Sequence, residues 1–165
     1  MVGFTRTAVP ALLSVVVGAT AVCAGPAAAA GEPARASTCA AGDLDLSVGA
    51  PDAGAGQLYV PLGFTNIGDR SCTLLGYPGV SVLGADRQRI GNPADREGVT
   101  AGPVTLAPGD RATAVLHTTN GPIGGPCLPK GTFLKVYPPA SKDAVLVSAA
   151  FQICSGRFTV GSITA

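Results

Sequence analysis

The sequence of 165 residues contains no tryptophan and only one histidine, and charged residues make up just 13% of it. Long runs of strong helix formers are missing, whereas glycine (23) and proline (14) are frequent, so the composition argues against a helical bundle. The formal net charge is +1, and the cations form neither a basic stripe nor a polybasic run. We therefore expect no nucleic-acid partner and no attachment to anionic lipid. The hydrophobic share of 47% excludes a wholly disordered chain.

Motifs for cofactors, metals and covalent catalysis are also missing. The glycines are scattered among turns and form no phosphate-binding loop. The nucleophile-elbow pattern G-x-S-x-G fails at residues 79–83, because Leu83 stands at the last glycine position. One histidine cannot supply the usual multi-histidine zinc site, and no two cysteines form a C-x-x-C pair. The sequence thus predicts a protein that is not an enzyme and that holds no cofactor and no metal.

The first 30 residues have the order of a secretory signal peptide. Arg6 is the only charge before Glu32, an apolar core follows at residues 8–22, and small residues continue to Ala30. We predict cleavage after Ala30, with cleavage after Ala24 as the alternative. Removal of this segment leaves equal numbers of basic and acidic residues, and it predicts a secreted protein, extracellular or cell-wall associated, with no membrane attachment.

Two alternatives to cleavage stay open for this segment. It is long enough to span a bilayer as a retained anchor, although its second half consists of weakly apolar Ala, Gly and Pro. Lipidation at Cys23 is the other alternative, but the bulky Val22 stands directly before that cysteine where a lipoprotein signal has a small residue.

The rest of the chain predicts a flexible lead-in at residues 31–38 and one domain at residues 39–165. Short stretches of alternating or continuous apolar residues are separated by Gly and Pro turns, and helical periodicity is not sustained anywhere. This pattern indicates an all-β fold, an antiparallel immunoglobulin-like β-sandwich of seven to nine short strands, with a small barrel as the alternative. The main expected strands are residues 43–49, 57–67, 73–83 (one strand interrupted by a bend at 76–79), 88–91, 104–106, 111–118, 132–137, 144–153 and 158–163. A type II turn is expected at 107–110 and a surface loop at 92–100.

Four cysteines remain after the signal peptide, namely Cys39, Cys72, Cys127 and Cys154. An even number in a small secreted domain predicts two disulfides, and the count alone allows three connectivities. If the strands at 43–49 and 57–67 pair antiparallel, the cysteines that flank them come together, and the same holds for the strands at 132–137 and 144–153. We therefore predict the disulfides Cys39–Cys72 and Cys127–Cys154.

Several of these segments together resemble a known family. The run Phe64-Thr65-Asn66-Ile67-Gly68, then Cys72-Thr73-Leu74, then Gly76-Tyr77-Pro78-Gly79-Val80 is similar to the signature of a secreted actinobacterial family catalogued as domain of unknown function 4232. Residues 106–109, Cys127 and Cys154 fit the same pattern. The resemblance implies an exported two-disulfide β-sandwich, and it brings no catalytic residues.

The leading functional hypothesis is a non-catalytic exported module, expected to be a monomer, that binds an extracellular protein, a glycan or a cell-envelope component. Loops at 84–103 and 119–131 are expected to make the contact, because binding residues often lie on loops held by a rigid scaffold.

Three other readings stay open. The Pro-rich loop at residues 120–130 suggests a secreted protease inhibitor. His117 would be the base of a hydrolase, although a strand histidine with a satisfied ring is the favoured interpretation. Asp43 and Asp45 share one strand face and could bind a cation, although a polar outer face is favoured.

Overall fold

The computed structural model describes residues 37–165 and, before them, only Gly3. The predicted signal peptide, both cleavage positions, Cys23 and residues 31–36 of the lead-in lie outside the described residues. Within residues 37–165 the chain forms thirteen strands and one short 3-10 helix, Ala41–Asp43. The strands are β1 (Ser37–Thr38), β2 (Leu44–Val48), β3 (Asp52–Gly54), β4 (Gln57–Asn66), β5 (Cys72–Leu74), β6 (Gly79–Leu83), β7 (Arg89–Ile90), β8 (Asp95–Arg96), β9 (Val104–Leu106), β10 (Arg111–Thr119), β11 (Phe133–Tyr137), β12 (Val145–Ser148) and β13 (Thr159–Val160).

The strands are arranged in three sheets. The largest has the order β2-β4-β10-β13-β8, with β3 also paired with β4. A four-stranded sheet has the order β12-β11-β6-β7, and a small sheet has the order β1-β5-β9. Nine of the strands have three or more residues, so the prediction of an all-β sandwich with two disulfides is confirmed. No helix among the described residues is long and apolar enough to cross a membrane.

One hydrophobic core lies between the two larger sheets. Alternate side chains of β4, β10, β6 and β11 are buried, as expected for strands with one face inward. Large and small residues stand side by side in the six-stranded sheet, where Phe64 pairs with Ala112 and Leu62 with Ala114. This pairing fills the core although the chain has few aromatic residues. The inward residues of these four strands are Val60, Leu62, Phe64, Ala112, Ala114, Leu116, Val80, Val82, Leu134 and Val136.

Both disulfides have the predicted connectivity, Cys39–Cys72 and Cys127–Cys154. The reason is the predicted one, because β2 pairs antiparallel with β4 and β11 pairs antiparallel with β12. The bridges span 33 and 27 residues. Loops of this size correspond to about 3.5 kcal/mol of stabilisation each in the chain-entropy model.

Asn66 explains why the Asn-x-Gly motif ends β4. Its side chain is buried, and its NH₂ group donates to the carbonyls of Arg70 (2.8 Å) and Leu106 (3.0 Å). The amide oxygen accepts from the N–H of Gly68 at 3.0 Å. The motif therefore joins the end of β4 to the bend at residues 68–70 and to the end of β9, which is a structural role.

The type II turn predicted at residues 107–110 is present. The N–H of Asp110 donates to the carbonyl of Ala107 at 2.9 Å. Gly109 has φ +88°, which is the positive value that the third position of this turn requires.

Two predicted strands are shorter than expected. Of residues 144–153 only Val145–Ser148 forms a strand, and of residues 158–163 only Thr159–Val160 does. Beyond β12 the chain faces the Pro- and Gly-containing segment at 128–131, with which it shares single backbone hydrogen bonds instead of a ladder. Proline lacks the N–H that a continuous ladder needs.

Other local expectations also need correction. The surface loop predicted at 92–100 contains β8, which pairs parallel with β13, and β1 pairs parallel with β5, so the sheets are not purely antiparallel. The pairing of β1 also gives a strand partner to the last two residues of the predicted lead-in. Asp43 lies in the 3-10 helix rather than on a strand, so Asp43 and Asp45 do not share a strand face.

Candidate functional site

A groove of about 670 Å³ lies on the outer face of the four-stranded sheet. We call it the sheet groove. Its floor consists of the outward side chains of β6, β11 and β12, and the β6–β7 connection forms one wall. Its lining residues are Gly79, Val80, Ser81, Leu83, Arg87, Arg89, Pro93, Lys135, Tyr137, Ala144, Val145 and Leu146.

One of the two inner strands of this sheet, β11, supplies Lys135 and Tyr137 to the groove. Leu134 and Val136 face the core and are fully buried, so Phe133, Lys135 and Tyr137 face outward. Lys135 lies between its cross-strand neighbours Ser81 on β6 and Leu146 on β12. The short alternating sequence of β11 therefore places a cation between two aromatic rings on one face.

Two further cations reach the groove, Arg87 from the β6–β7 connection and Arg89 from β7. Arg89 pairs with Leu83, which pairs in turn with Phe133. Arg87 occupies the turn and places its guanidinium carbon 5.1 Å from the centre of the Phe133 ring. Lys135 places its amine 5.1 Å from the centre of the Tyr137 ring. Both distances lie within the range of cation–π attraction.

The cations of the sheet groove have no carboxylate partners within residues 37–165. Among the described residues, none of Arg87, Arg89 and Lys135 makes an ion pair with a carboxylate, and no Asp or Glu lines the groove. Asp86 and Asp143 lie in the turns next to it rather than on its floor. An aromatic ring attracts a cation but carries no net charge, so the groove remains cationic.

The single histidine belongs to a different cluster, on the outer face of the six-stranded sheet. His117 on β10 stands beside Tyr59 on β4 and Thr159 on β13 in the sheet register. The rings of His117 and Tyr59 stack, with centroids 4.4 Å apart and 22° between their planes. We call His117, Tyr59, Thr159, Gln57 and Glu97 the histidine cluster.

Both ring nitrogens of His117 have partners. The Nδ1–H donates to the Glu97 carboxylate at 2.9 Å, and Nε2 lies 2.7 Å from the side-chain amide oxygen of Gln57. A protonated ring donates to that oxygen, whereas a neutral ring accepts from the amide NH₂ after the amide rotates. Gln57 can thus satisfy either form, and the favoured sequence interpretation, a strand histidine with a satisfied ring, agrees with this geometry.

Glu97 is held in its charged form by its neighbours. The hydroxyl of Thr159 donates to it, and this hydrogen bond is the largest cause of a pKa below the ordinary value of 4.5. A hydrogen bond from His117 and the charge of that residue also lower the pKa of Glu97. The charge of Arg157, whose Nη1 lies 3.8 Å from the carboxylate, lowers it too, whereas partial burial of the carboxylate raises it. The carboxylate therefore has partners on several sides.

The histidine cluster has the composition of a catalytic site but lacks the free groups. A general base needs a ring nitrogen that can reach a substrate proton, and both nitrogens of His117 are occupied. The nearby hydroxyl of Thr159 already donates to Glu97. The hypothesis of a hydrolase with His117 as the base stays a prediction, and the histidine cluster offers it no free nucleophile.

The Pro-rich loop at residues 120–130 is folded onto the Cys127–Cys154 disulfide. The hydroxyl oxygen of Ser155 accepts from Thr119 at 3.0 Å and from the N–H of Gly124 at 3.1 Å. The side chain of Ile123 is 59% exposed at the loop surface. The loop is rigidly tied, as the inhibitor hypothesis requires, and that hypothesis stays untested.

Among the described residues, no group of three or more His, Cys, Asp or Glu side chains is placed to hold a metal ion. Asp45 is exposed on β2, whereas Asp43 lies in the 3-10 helix that precedes this strand.

The fold and the groove together define a disulfide-stapled β-sandwich with a cationic sheet face. The chain belongs to the family described as domain of unknown function (DUF4232), whose match covers residues 39–164. No curated protein matches the chain. Among solved structures it is similar to the crystal structure of a selenomethionine-labelled β-glucosidase from Kluyveromyces marxianus, with 14% identity, a TM-score of 0.34, and coverage of 72% of this chain and 14% of that one. A likeness at that level carries no argument about fold or activity.

Proposed function

We propose that this chain is an exported, non-catalytic binding module that attaches to an extracellular or cell-envelope ligand through the sheet groove. The observation that carries the proposal is the contrast in partners: the groove cations have no ion pairs among the described residues, whereas both ring nitrogens of the lone histidine are engaged within the fold. Charges left without partners on a concave surface are typical of a binding site.

Export is supported by the sequence and by the disulfides. Residues 1–30 have the order of a signal peptide, and two disulfides persist in an oxidising compartment. The resemblance to a secreted actinobacterial family points to the same location, outside the cytoplasm or on the cell wall.

The test of export is intact-mass analysis of the product after expression of the full chain in an actinobacterial host. The expected product is found in the medium or the wall fraction, begins after Ala30 or Ala24, carries no lipid and has both disulfides closed. A full-length product that stays in the cytoplasm, or a lipid on Cys23, contradicts this part of the proposal.

The test of binding is co-sedimentation of the purified mature protein with isolated cell envelope. We expect the protein in the pellet, and release from it when the salt concentration rises, since surface charge interactions are screened by salt. Protein that stays in the supernatant at low salt contradicts the binding function.

A further inference from the structure

We propose that the ligand of the sheet groove is an anionic polysaccharide, a chain of sugar rings that carry carboxylate or phosphate groups. This inference rests on the proposed function and supplies the class of its ligand.

The charges of the groove select an anion with several oxygens. Arg87, Arg89 and Lys135 converge on one face, and among the described residues none has a carboxylate partner. A guanidinium donates two parallel hydrogen bonds to a carboxylate or a phosphate, and a lysine adds a compact positive charge. Two guanidinium groups and one amine therefore suit a ligand with repeated anionic groups better than a single small anion.

The spacing of the groove cations suits a chain rather than a single sugar. Arg87 lies over the ring of Phe133, and Lys135 lies over the ring of Tyr137. These two aromatic residues are four residues apart on β11, which corresponds to roughly 13 Å along the strand. Lys135 lies between them, and Leu146, 36% exposed, stands beside Lys135 on β12. Leu146 thus offers an apolar area beside the Lys135 cation, which matches a sugar ring with an apolar C–H face and a charged substituent.

The same geometry disfavours other polyanions. Single-stranded nucleic acid needs open aromatic faces on which bases stack, but cations already lie over the rings of Phe133 and Tyr137. An acidic peptide that adds to a sheet needs the backbone groups of an edge strand, whereas the groove lies on the face of the sheet.

The closing experiment is calorimetric titration of the mature protein at low ionic strength. The probes are polygalacturonate, which carries carboxylates, and phosphomannan, which carries phosphates. Neutral dextran, oligothymidylate and poly-L-glutamate are the comparison ligands. We expect micromolar affinity for at least one of the two charged polysaccharides, and the stronger arm identifies the anionic group. We expect binding at least about tenfold weaker for the three comparison ligands.

Charge-removing variants locate the site. We expect R89Q and K135Q each to weaken binding about tenfold, because each removes one groove cation and leaves a polar, uncharged side chain. The matched control is R70Q, since Arg70 is an exposed arginine whose one ion pair within residues 37–165 is with the adjacent Asp69 at 4.0 Å. Thermal unfolding of all three variants checks that each is folded.

The outcomes separate this inference from the proposed function. Envelope binding without binding of either charged polysaccharide overturns the polysaccharide inference and leaves the binding function standing. Equal affinity for dextran, oligothymidylate or poly-L-glutamate also overturns it, as does equal affinity of R70Q, R89Q and K135Q for the polysaccharide. Failure of both the envelope and the polysaccharide assays overturns both proposals.

Discussion

The outer faces of the two larger sheets carry similar side chains but use them differently. On the six-stranded sheet, the polar atoms of the histidine cluster bind one another, so that His117 and Glu97 have partners within the fold. On the four-stranded sheet, Arg87 and Lys135 lie over aromatic rings, and neither they nor Arg89 has an ion-pair partner among the described residues. Polar groups that satisfy one another stabilise a fold, whereas charges left without partners are available to a ligand.

This comparison predicts opposite effects of substitution on the two faces. Changes in the histidine cluster should lower stability and leave binding intact. Changes in the sheet groove should weaken binding and leave stability almost unchanged.

The largest effect on stability is expected for His117→Ala. The substitution removes a nearly buried ring, its stacking on Tyr59 and the partners of Glu97 and Gln57. We expect the free energy of unfolding to fall by about 3 kcal/mol, measured by chemical denaturation. Affinity for envelope should stay unchanged. Loss of envelope binding in a folded His117→Ala protein would remove the distinction between the two faces.

A smaller loss is expected for Gln57→Leu. The change keeps the approximate size of the side chain but leaves Nε2 of His117 without its partner. Because an unsatisfied buried polar atom is unfavourable, we expect the free energy of unfolding to fall by about 1–2 kcal/mol. Gln57→Glu, which keeps a hydrogen-bond acceptor, is the control and should lose less. Equal losses in the two variants would show that this hydrogen bond does not matter.

The contribution of Glu97 should depend on pH. Its pKa in the folded state is lowered, chiefly by the hydrogen bond from Thr159, so its charged form stabilises the fold above the unfolded pKa near 4.5. That stabilisation is lost as the pH falls through the lower folded pKa. We expect Glu97→Gln to be less stable than the parent at pH 7 and the difference to shrink in acid, measured by denaturation at a series of pH values. A difference that grows as the pH falls below 4.5 would contradict the sign of this effect.

The smallest effect on stability is expected for K135Q. Lys135 makes one cation–π contact and no ion pair among the described residues. Its loss should change the free energy of unfolding by less than about 1 kcal/mol. A loss as large as that of His117→Ala would mean that the groove cations are structural.

The sequence predicted the fold well where neighbouring strands pair. The alternation at residues 57–67 and 132–137 gave correct strands, and the antiparallel pairing of adjacent strands gave both disulfides. Strand ends were less predictable, since residues 149–153 are apolar enough for a strand but face a Pro- and Gly-containing segment.

The histidine cluster was beyond sequence reasoning. Glu97 lies 20 residues from His117, and it reaches the ring because β8 pairs parallel with β13. A two-residue parallel pairing inside a Pro- and Gly-rich loop leaves no periodic signal in the sequence. Stacking by Tyr59 likewise depends on the register between β4 and β10.

Part of the sheet groove could be predicted from the sequence. The loop at 84–103, expected to make contacts, supplies Arg87 and Arg89, but the other expected loop, at 119–131, lines no part of this groove among the described residues. Phe133, Lys135 and Tyr137 alternate within the strand predicted at 132–137, and alternate residues of a strand share one face. The strand predicted at 88–91 is β7, which folds back beside β6. The position of Arg87 over the ring of Phe133 has no signal in the sequence.

The most direct test of the contrast between the two faces is an NMR titration of the ¹⁵N-labelled mature protein with polygalacturonate. We expect chemical-shift changes to concentrate at β6, β7, β11 and β12, while the amide signals of Tyr59, Glu97 and His117 stay unchanged. Changes centred on the histidine cluster, or no changes on either face at saturating ligand, would contradict the assignment of the groove as the binding surface for this ligand class.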